Sequence, residues 1–397
     1  MPRGVDAQQV LTRIRISLPN SSSTVPISRG TRINLMQQAN MHDVAEITLP
    51  LQRFTDIRTR IAYGSAASFS WSCPFGNATF YGYVHTVKPY LTEKSSGTRL
   101  VLVSAGFPLK QISQRVWTQT TASNVARLLA TQYGLAYDVE EHPRVFPQIA
   151  QTTQSDWMLL RSLAERIGYS LRVEGVTLQF MSKATLERYY RALAPTAQIS
   201  ATDSSTPINR RDVLSFTPLV SEHQQESDHA LANRHVLSID SSGSPFAAVS
   251  SAPSNPGRGV ATALYDQFLH ETSRTPQEAQ QISNDASERA RYTIQATAEM
   301  YGYPDIAPNR SIYFTGLDND LSGYWTVLAV QHNIQAGNAY RMHLTLGTEG
   351  LGEETMRPTN TGTSIPSAGL LKTPYATATL VDTGQVAGVA ARWLPSR

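Results

Sequence analysis

Between residues 9 and 110 apolar and polar positions alternate with a period of two. "VLTRIRISL" (Val10 to Leu18), "DVAEITLPL" (Asp43 to Leu51), "SFSWSCPFGNATFYGYVHTVKPYL" (Ser68 to Leu91) and "TRLVLVSAG" (Thr98 to Gly106) each carry it, with Pro74, Gly76 and Asn77 interrupting the third. Short alternating runs punctuated by Gly, Asn and Pro predict an antiparallel sheet closed into a small barrel. Phe80 to Val87 is its expected central strand, with Gly82 where a neighbouring backbone comes close or the strand bends.

After Thr118 the period lengthens. "TASNVARLLATQYG" sets Val125, Leu128, Leu129 and Tyr133 on one helical face and stops at Gly134, and "LAYDVE" follows as a short strand. In "QTTQSDWMLLRSLAERIGYSLRVEG" (Gln151 to Gly175), Trp157, Leu160, Ala164 and Ile167 recur at intervals of three and four. Ser155 is placed to cap the first free amides, Asp156 suits the positive end of the helix, and Arg161 and Glu165 form an exposed pair one turn apart. Gly168 stops the helix, and "YSLRVEGVTLQFM" reads as a hairpin turning at Glu174 and Gly175.

The Ser/Thr/Pro-rich connection from Ala192 to Arg211 is the best domain boundary. Beyond it "DVLSFTPLVSEHQQ" and "NRHVLSID" read as a pair of strands, and residues 241–260 as a loop rich in Ser, Gly and Pro. Thr275, Pro276 and Glu278 open a helix with capping-box spacing. A stripe of Ala279, Ile282, Ala286, Ala290, Ile294 and Ala298 carries that helix to Tyr301. At 1.5 Å per residue it would be about 37 Å long. It would lie on its own barrel or on another subunit. "RSIYFTGL", "YWTVLAVQHNI" and "AYRMHLTLGT" return to strands, with turns at Asp318 to Gly323 and at Gly337–Asn338.

The expected fold is therefore α+β and mainly β. Residues 1–111 form a first antiparallel β-barrel and 112–206 a small α/β domain of helix, strand, helix and hairpin. Residues 207–350 form a second barrel, interrupted at about 241–303 by the loop and long helix. From Leu351 the chain is turn-rich without core periodicity, so residues 351–397 read as an extended C-terminal arm.

Composition adds two points. Charged residues make up 16% of the 397, against roughly 25% in an ordinary soluble protein, which leaves a polar surface of Ser, Thr, Gln and Asn suited to large interfaces. Lys88, Lys94, Lys110, Lys183 and Lys372 are the only lysines among 34 basic residues. The arginines are scattered singly, with Arg58/Arg60 and Arg210–Arg211 the closest groupings, so direct nucleic-acid recognition is not supported. Cys73 is the single cysteine, which excludes an intramolecular disulfide framework and a cysteine zinc site; it is expected as a small buried residue in a strand. No run approaches a membrane span and the Met1–Pro2–Arg3 start lacks an apolar signal core, so synthesis and folding in a reducing cytoplasm are expected.

Candidate chemistry is sparse. There is no P-loop, dinucleotide-binding Gly fingerprint, HExxH helix or G-x-S-x-G elbow. His332 and His343 lie on adjacent expected strands but have no third ligand, and Glu140–Glu141–His142 before Pro143 reads as a solvated acidic turn. "DNDLSG" (Asp318 to Gly323) departs from the calcium-loop spacing and lacks its closing Glu. Neither a catalytic residue, a metal ligand nor a cofactor is expected.

The segment Gln151 to Gly175, through Ser155–Asp156–Trp157, Leu159–Leu160, Leu163–Ala164–Glu165 and Gly168–Tyr169, resembles the helix and hairpin of phage baseplate hub proteins. These are the late control protein family of contractile-tail phages and the hub portion of type VI secretion spike proteins. "PDIAPNRSIYFTGLDNDLSGYWTVLAVQHNI" (Pro304 to Ile334) followed by "YRMHLTLGT" is a second likeness, through a Gly turn at Gly323, the Tyr324 strand and the His332 strand. The resemblance covers about residues 120–350, and the first barrel by element order alone.

It implies a structural role: a homotrimer whose two barrels per chain make six positions around a channel, joining a hexameric tail tube to a trimeric central spike. The implied partners are the tail tube protein, a separate spike chain, and tape-measure and baseplate wedge proteins, with DNA only in transit and no membrane insertion. The virion tail baseplate is the implied location. Only 47 residues follow Gly350, too few for a fused spike, and the arm is placed to clasp the spike or a neighbouring hub subunit. The rival readings are a tail-associated peptidoglycan hydrolase and the hub of a phage-derived secretion or bacteriocin particle.

Overall fold

The computed structural model describes residues 13–17, 27, 30–50, 56–57, 63–73, 76–92, 96–198, 213–219, 232–239, 245–250, 265–269, 273, 275–289, 291–292, 294–317, 321–336 and 340–348. Most of the connection after Ala192, the turn at Asp318 to Asp320 and the whole arm from Leu351 lie outside them.

One antiparallel path dominates. Its strands run in the order Arg13–Ser17, Ala66–Cys73, Gly76–Leu91, Ser96–Ser104, Val44–Pro50, Arg32–Gln38, Gly323–Gln335, Arg341–Thr348, Ile294–Tyr301 and Val213–Leu219. Ser311–Thr315 branches from Gly323–Gln335 and carries Thr196–Gln198, making twelve strands. The first and last strand-rich regions, expected as separate barrels, are thus joined in one sheet. The join is Arg32–Gln38 against Gly323–Gln335, with Leu35 opposite His332. Their inward residues also share one core, where Ile33, Ile47, Phe69 and Leu100 meet Phe314, Trp325, Val327 and Leu344. Gly82 sits in the close approach expected of it, since a Cβ there would lie 2.0 Å from the Val103 carbonyl oxygen.

Residues 105–192 form an α/β unit with its own core. A two-stranded ribbon, Ile112–Thr121 against Val145–Ser155, precedes helices α1 (Ala122–Gln132) and α2 (Asp156–Ile167) respectively. A three-stranded sheet follows, with Tyr169–Glu174 pairing Thr177–Ser182 and the latter pairing Ala136–Val139. Helix α3 (Lys183–Ala192) ends the unit. Val125, Leu129, Trp157, Leu160, Leu171 and Phe180 fill the core. Leu128, expected on the buried face of α1, is 49% exposed. The ribbon and α3 were not legible in the sequence: the ribbon strands are Gln/Thr-rich with little alternation, and α3 has a short apolar stripe of Leu186 and Tyr190.

Three expectations for the region after Arg211 are corrected. The long helix is a 14-residue one, α4 (Pro276–Arg289), and Ile294–Tyr301 is a strand. Ala290, Ile294 and Ala298 are spaced by four, but Ala296, Ala298 and Met300 alternate. It is the alternating set that is buried, with Thr297 and Glu299 facing outward. The loop at 241–260 contains the strand Pro245–Ser250, in which Ala248 is buried between the exposed Ala247 and Val249. Val213–Leu219 and Ala232–Ile239 do not pair with each other. The former joins Ile294–Tyr301, and the latter lies between Pro245–Ser250 and Tyr265–Leu269 in a three-stranded sheet. Helix α4 covers that sheet through Ala279 and Ile282 against Val236 and Ala248.

Candidate functional site

The helix start singled out in the sequence is built as a buried polar box. Ser155 is extended (φ −73°, ψ 158°) and its Oγ accepts from the Met158 amide at 3.2 Å, capping α2. Asp156 is fully buried. Its carboxylate accepts from Gln151 Nε2 and from the Tyr133 hydroxyl, each at 2.6 Å, and more distantly from Arg115 at 3.4 Å. Burial, with Asp156 beside it, pushes the Tyr133 hydroxyl pKa well up. Asp156 therefore ties the ribbon, α1 and α2 together, beyond serving the helix dipole. Arg161 and Glu165 form the expected exposed pair at 2.7 Å.

Trp157 reaches outside its own unit. Its ring lies over His42 with centroids 3.9 Å apart, and His42 belongs to the turn between the sheet strands Arg32–Gln38 and Val44–Pro50. The same turn is stitched to the hairpin by main chain, Asn40 N to Leu171 O at 3.0 Å, and by Asn40 Oδ1 accepting from Leu171 N at 2.8 Å. Burial and the nearby Lys110 lower the His42 pKa to about 3, so the ring is neutral against the indole.

The joint between the two bodies centres on Arg172, which is 1% exposed. Its guanidinium donates to Asp43 Oδ2 at 3.2 Å and to the Pro308 carbonyl at 3.1 Å. Asp43 also accepts from Gln37 Nε2 at 2.7 Å. Gln37 Oε1 in turn faces His332 Nε2 at 3.1 Å, and His332 Nδ1 meets the Tyr340 hydroxyl. Because Gln37 Oε1 only accepts, His332 carries its proton on Nε2 and accepts from Tyr340 at Nδ1. The result is a buried chain of donors running one way from Tyr340 to Asp43. Burial, reinforced by the Arg172 charge, lowers the His332 pKa to about 3. Burial pushes the Asp43 carboxyl up against the pull of Arg172. On the hairpin, Glu174 accepts from Arg310 at 2.9 Å and from Gln179 at 3.2 Å. Burial would raise its pKa, but Arg310 and Arg172 hold it below the usual range.

A second joint fastens α4 to the α/β unit. His142 Nε2 lies 3.1 Å from Asp285 Oδ1, while His142 Nδ1 accepts from the Arg144 amide at 3.3 Å. Both ring nitrogens are thus engaged. The turn before Pro143, expected to be solvated, is packed at His142, which is 4% exposed and edge-on to Tyr169, while Glu141 stays exposed. Glu140 accepts from the amide and hydroxyl of Ser182, each at 2.9 Å. Glu288 on α4 accepts from the Ala184 amide at 2.6 Å in the first turn of α3.

Gly168 has two reasons to be glycine. Its φ is 75°, and a Cβ would lie 2.8 Å from Glu288 Cβ and 2.9 Å from the Asp285 carbonyl oxygen. Gly64, at φ 78°, has nothing within 4 Å. Gly64→Ala should therefore cost only the left-handed strain, about 1 kcal/mol. Gly168→Ala should cost about 2–3 kcal/mol, the excess coming from displaced α4. Urea unfolding of the two variants checks this, and equal losses would show that α4 does not press on Gly168.

Of the other singled-out residues, His332 belongs to the first joint and Tyr169 to the second, while Gly323 and Tyr324 stand apart from both. Tyr169 donates to the Glu141 carbonyl at 3.3 Å. Gly323, at φ 142°, opens its strand, and Tyr324 packs on Tyr313 with centroids 4.8 Å apart. His332 points into the core while His343, opposite Gln331 in register, faces out, so the two do not meet. Cys73 is half-buried at a strand end, its thiol directed at the Gly302 carbonyl. Arg172, Asp43, Gln37 and Tyr340 escaped the sequence reading. The available signal was a lone Arg inside "SLRVEG", a strand whose residues are all buried.

The outward face of the sheet forms a concavity of about 610 Å³ where Gln38, Ser215, Thr297, Gln331 and Thr345 meet. Its acid Glu299 is paired with Arg341 at 3.0 Å. Among the described residues there is no group of three or more His, Cys, Asp or Glu placed to hold a metal, and no helix is long and apolar enough to cross a membrane.

No protein-family model and no curated protein matches the sequence. Solved structures do. A tail protein from Neisseria meningitidis MC58 aligns over 86% of this chain and 98% of its own, with a TM-score of 0.59 and 13% identity. The 43 kDa tail protein of prophage MuSo2 from Shewanella oneidensis aligns over 85% and 98%, with a TM-score of 0.57 and 13% identity. An E. coli component of the type VI secretion system, described as similar to the T4 bacteriophage tail proteins gp27 and gp5, aligns over 83% of this chain and 76% of its own. Its TM-score is 0.52 at 9% identity. The twelve-stranded sheet with its α/β unit is thus the fold of phage tail proteins and of their type VI secretion counterpart.

Proposed function

We propose that this chain is the structural hub of a phage tail baseplate, a homotrimer that joins a hexameric tail tube to a separate trimeric spike and encloses part of the DNA channel. The observation that carries this reading is the single sheet in which residues 32–104 and 294–348 share one path, in a chain with the tail-protein fold. Each half of the sheet supplies one tube-like barrel, so three chains offer six positions to a sixfold tube while staying threefold towards the spike.

The concave outer face, where Gln38, Thr297 and Gln331 stand among Met36, Met41 and Val44 and its one acid, Glu299, is paired, belongs on the channel wall, where unpaired charge would either trap or repel a polyanion. We assign the chain no reaction: its buried ionisable groups serve as joints between bodies, with Asp43, Glu174 and Asp285 each beside an arginine. Light scattering of the purified chain over a concentration series is the test. A species near three times 43.6 kDa, binding a tail tube protein on mixing, is expected. A chain that stays monomeric with tube and spike proteins present would overturn the trimeric hub.

A further inference from the structure

The ribbon of Ile112–Thr121 and Val145–Ser155 pairs with no third strand among the described residues. Its inner face is anchored by Phe146 and Ile149 in the α/β core, with Trp117 packed against them. Its outer face presents Ile112 at 68% and Val116 at 63% exposure. Around them stand Gln114, Thr118, Gln148 and Ala150, so the face carries no charge. Sheet edges are ordinarily blunted by charge, proline or a bend. One of the two edges here is blunted: Pro147 removes an amide from Val145–Ser155, and Thr153 bends it at φ 53°. The stretch Ile112–Thr118 has neither device and keeps its amides.

We propose that Ile112–Thr118 receives residues Tyr375–Val381 of the same chain as a third strand. The sequence there, "YATATLV", is seven residues long like the edge it would cover, uncharged like that edge's outer face, and alternates β-branched or aromatic with small or aliphatic positions. With the two segments centred, Ala376, Ala378 and Leu380 face the α/β core, and Tyr375, Thr377, Thr379 and Val381 extend the outer face beside Val116. The 26 residues from Glu349 to Pro374 span up to roughly 85 Å when extended, against a radius of gyration near 21 Å for a body of about 400 residues. The segment therefore reaches the edge from its own Thr348. A tether also holds it at an effective concentration on the order of millimolar, ahead of a free partner strand.

The test uses the full chain in a Cys73→Ala background. Val116→Cys is combined with Thr377→Cys, the neighbour in an antiparallel pairing, or with Thr379→Cys, the neighbour in a parallel one. Mild oxidation should close a disulfide within one chain in one of the two variants, while Val145→Cys with Thr377→Cys stays reduced. Independently, removing residues 351–397 should speed amide exchange at 112–118 at least tenfold and leave exchange in α1 unchanged. Disulfide-linked dimers would assign the edge to a second copy and overturn the in-chain pairing. Absence of any disulfide, with unchanged exchange on truncation, would overturn the docking itself.

Discussion

Arg172→Ala is expected to lower the unfolding free energy by about 3–5 kcal/mol, because it leaves the Asp43 carboxylate buried without its guanidinium partner. Most of the loss is the penalty on the abandoned charge and little of it the worth of the pair. Replacing both partners, Arg172→Met with Asp43→Leu, should therefore recover much of it, short of full recovery because the Pro308 carbonyl also loses its donor at 3.1 Å. Urea unfolding of both singles and the double decides the matter as a coupling energy. Losses under 1 kcal/mol in the singles would mean that water reaches the joint.

Stability should also fall as the solution is acidified from pH 7 towards 5. In the folded chain His332 stays neutral down to about pH 3, whereas in the unfolded chain it binds a proton below about 6.5. The unfolded state then holds more protons, so each pH unit below 6.5 costs about 1.4 kcal/mol for this group. His42, similarly lowered but half-buried, adds a smaller share in the same direction. Glu174, held low when folded, adds to the loss only at more acid pH, where the unfolded carboxyl begins to protonate. Asp43, pushed up by burial, works in the opposite sense over its own titration. His332→Gln should flatten the dependence by roughly half while costing some stability at pH 7. An unchanged slope in that variant would locate the titration elsewhere.

What was legible in the sequence follows from where local pattern and tertiary packing agree. Helix α2 was readable because its cap, stripe and stop all lie within Ser155 to Gly168, and its Arg161–Glu165 pair needs no partner outside the helix. Residues 294–301 were misread because alanines satisfy a helical and a strand period at once, and only the partner strands Arg341–Thr348 and Val213–Leu219 choose between them. The joint was invisible for a sharper reason. Arg172 and Asp43 are 129 positions apart and His332 and Gln37 are 295 apart, and no periodicity reports such meetings. His332 was singled out through a family likeness, while its role came from two neighbours, Gln37 and Tyr340, that were not.

That separation has a temporal side. A ribosome releases the strand Arg32–Gln38 long before its partner Gly323–Gln335 exists, so the sheet stays unfinished until nearly the whole described chain has emerged. The α/β unit, whose core lies within residues 105–180, is complete far earlier and is the natural first folding unit during synthesis. High contact order makes the final closure slow, and during that interval the bare edge of Arg32–Gln38 is what a nascent chain must keep from pairing with the same strand of its neighbour on the polysome.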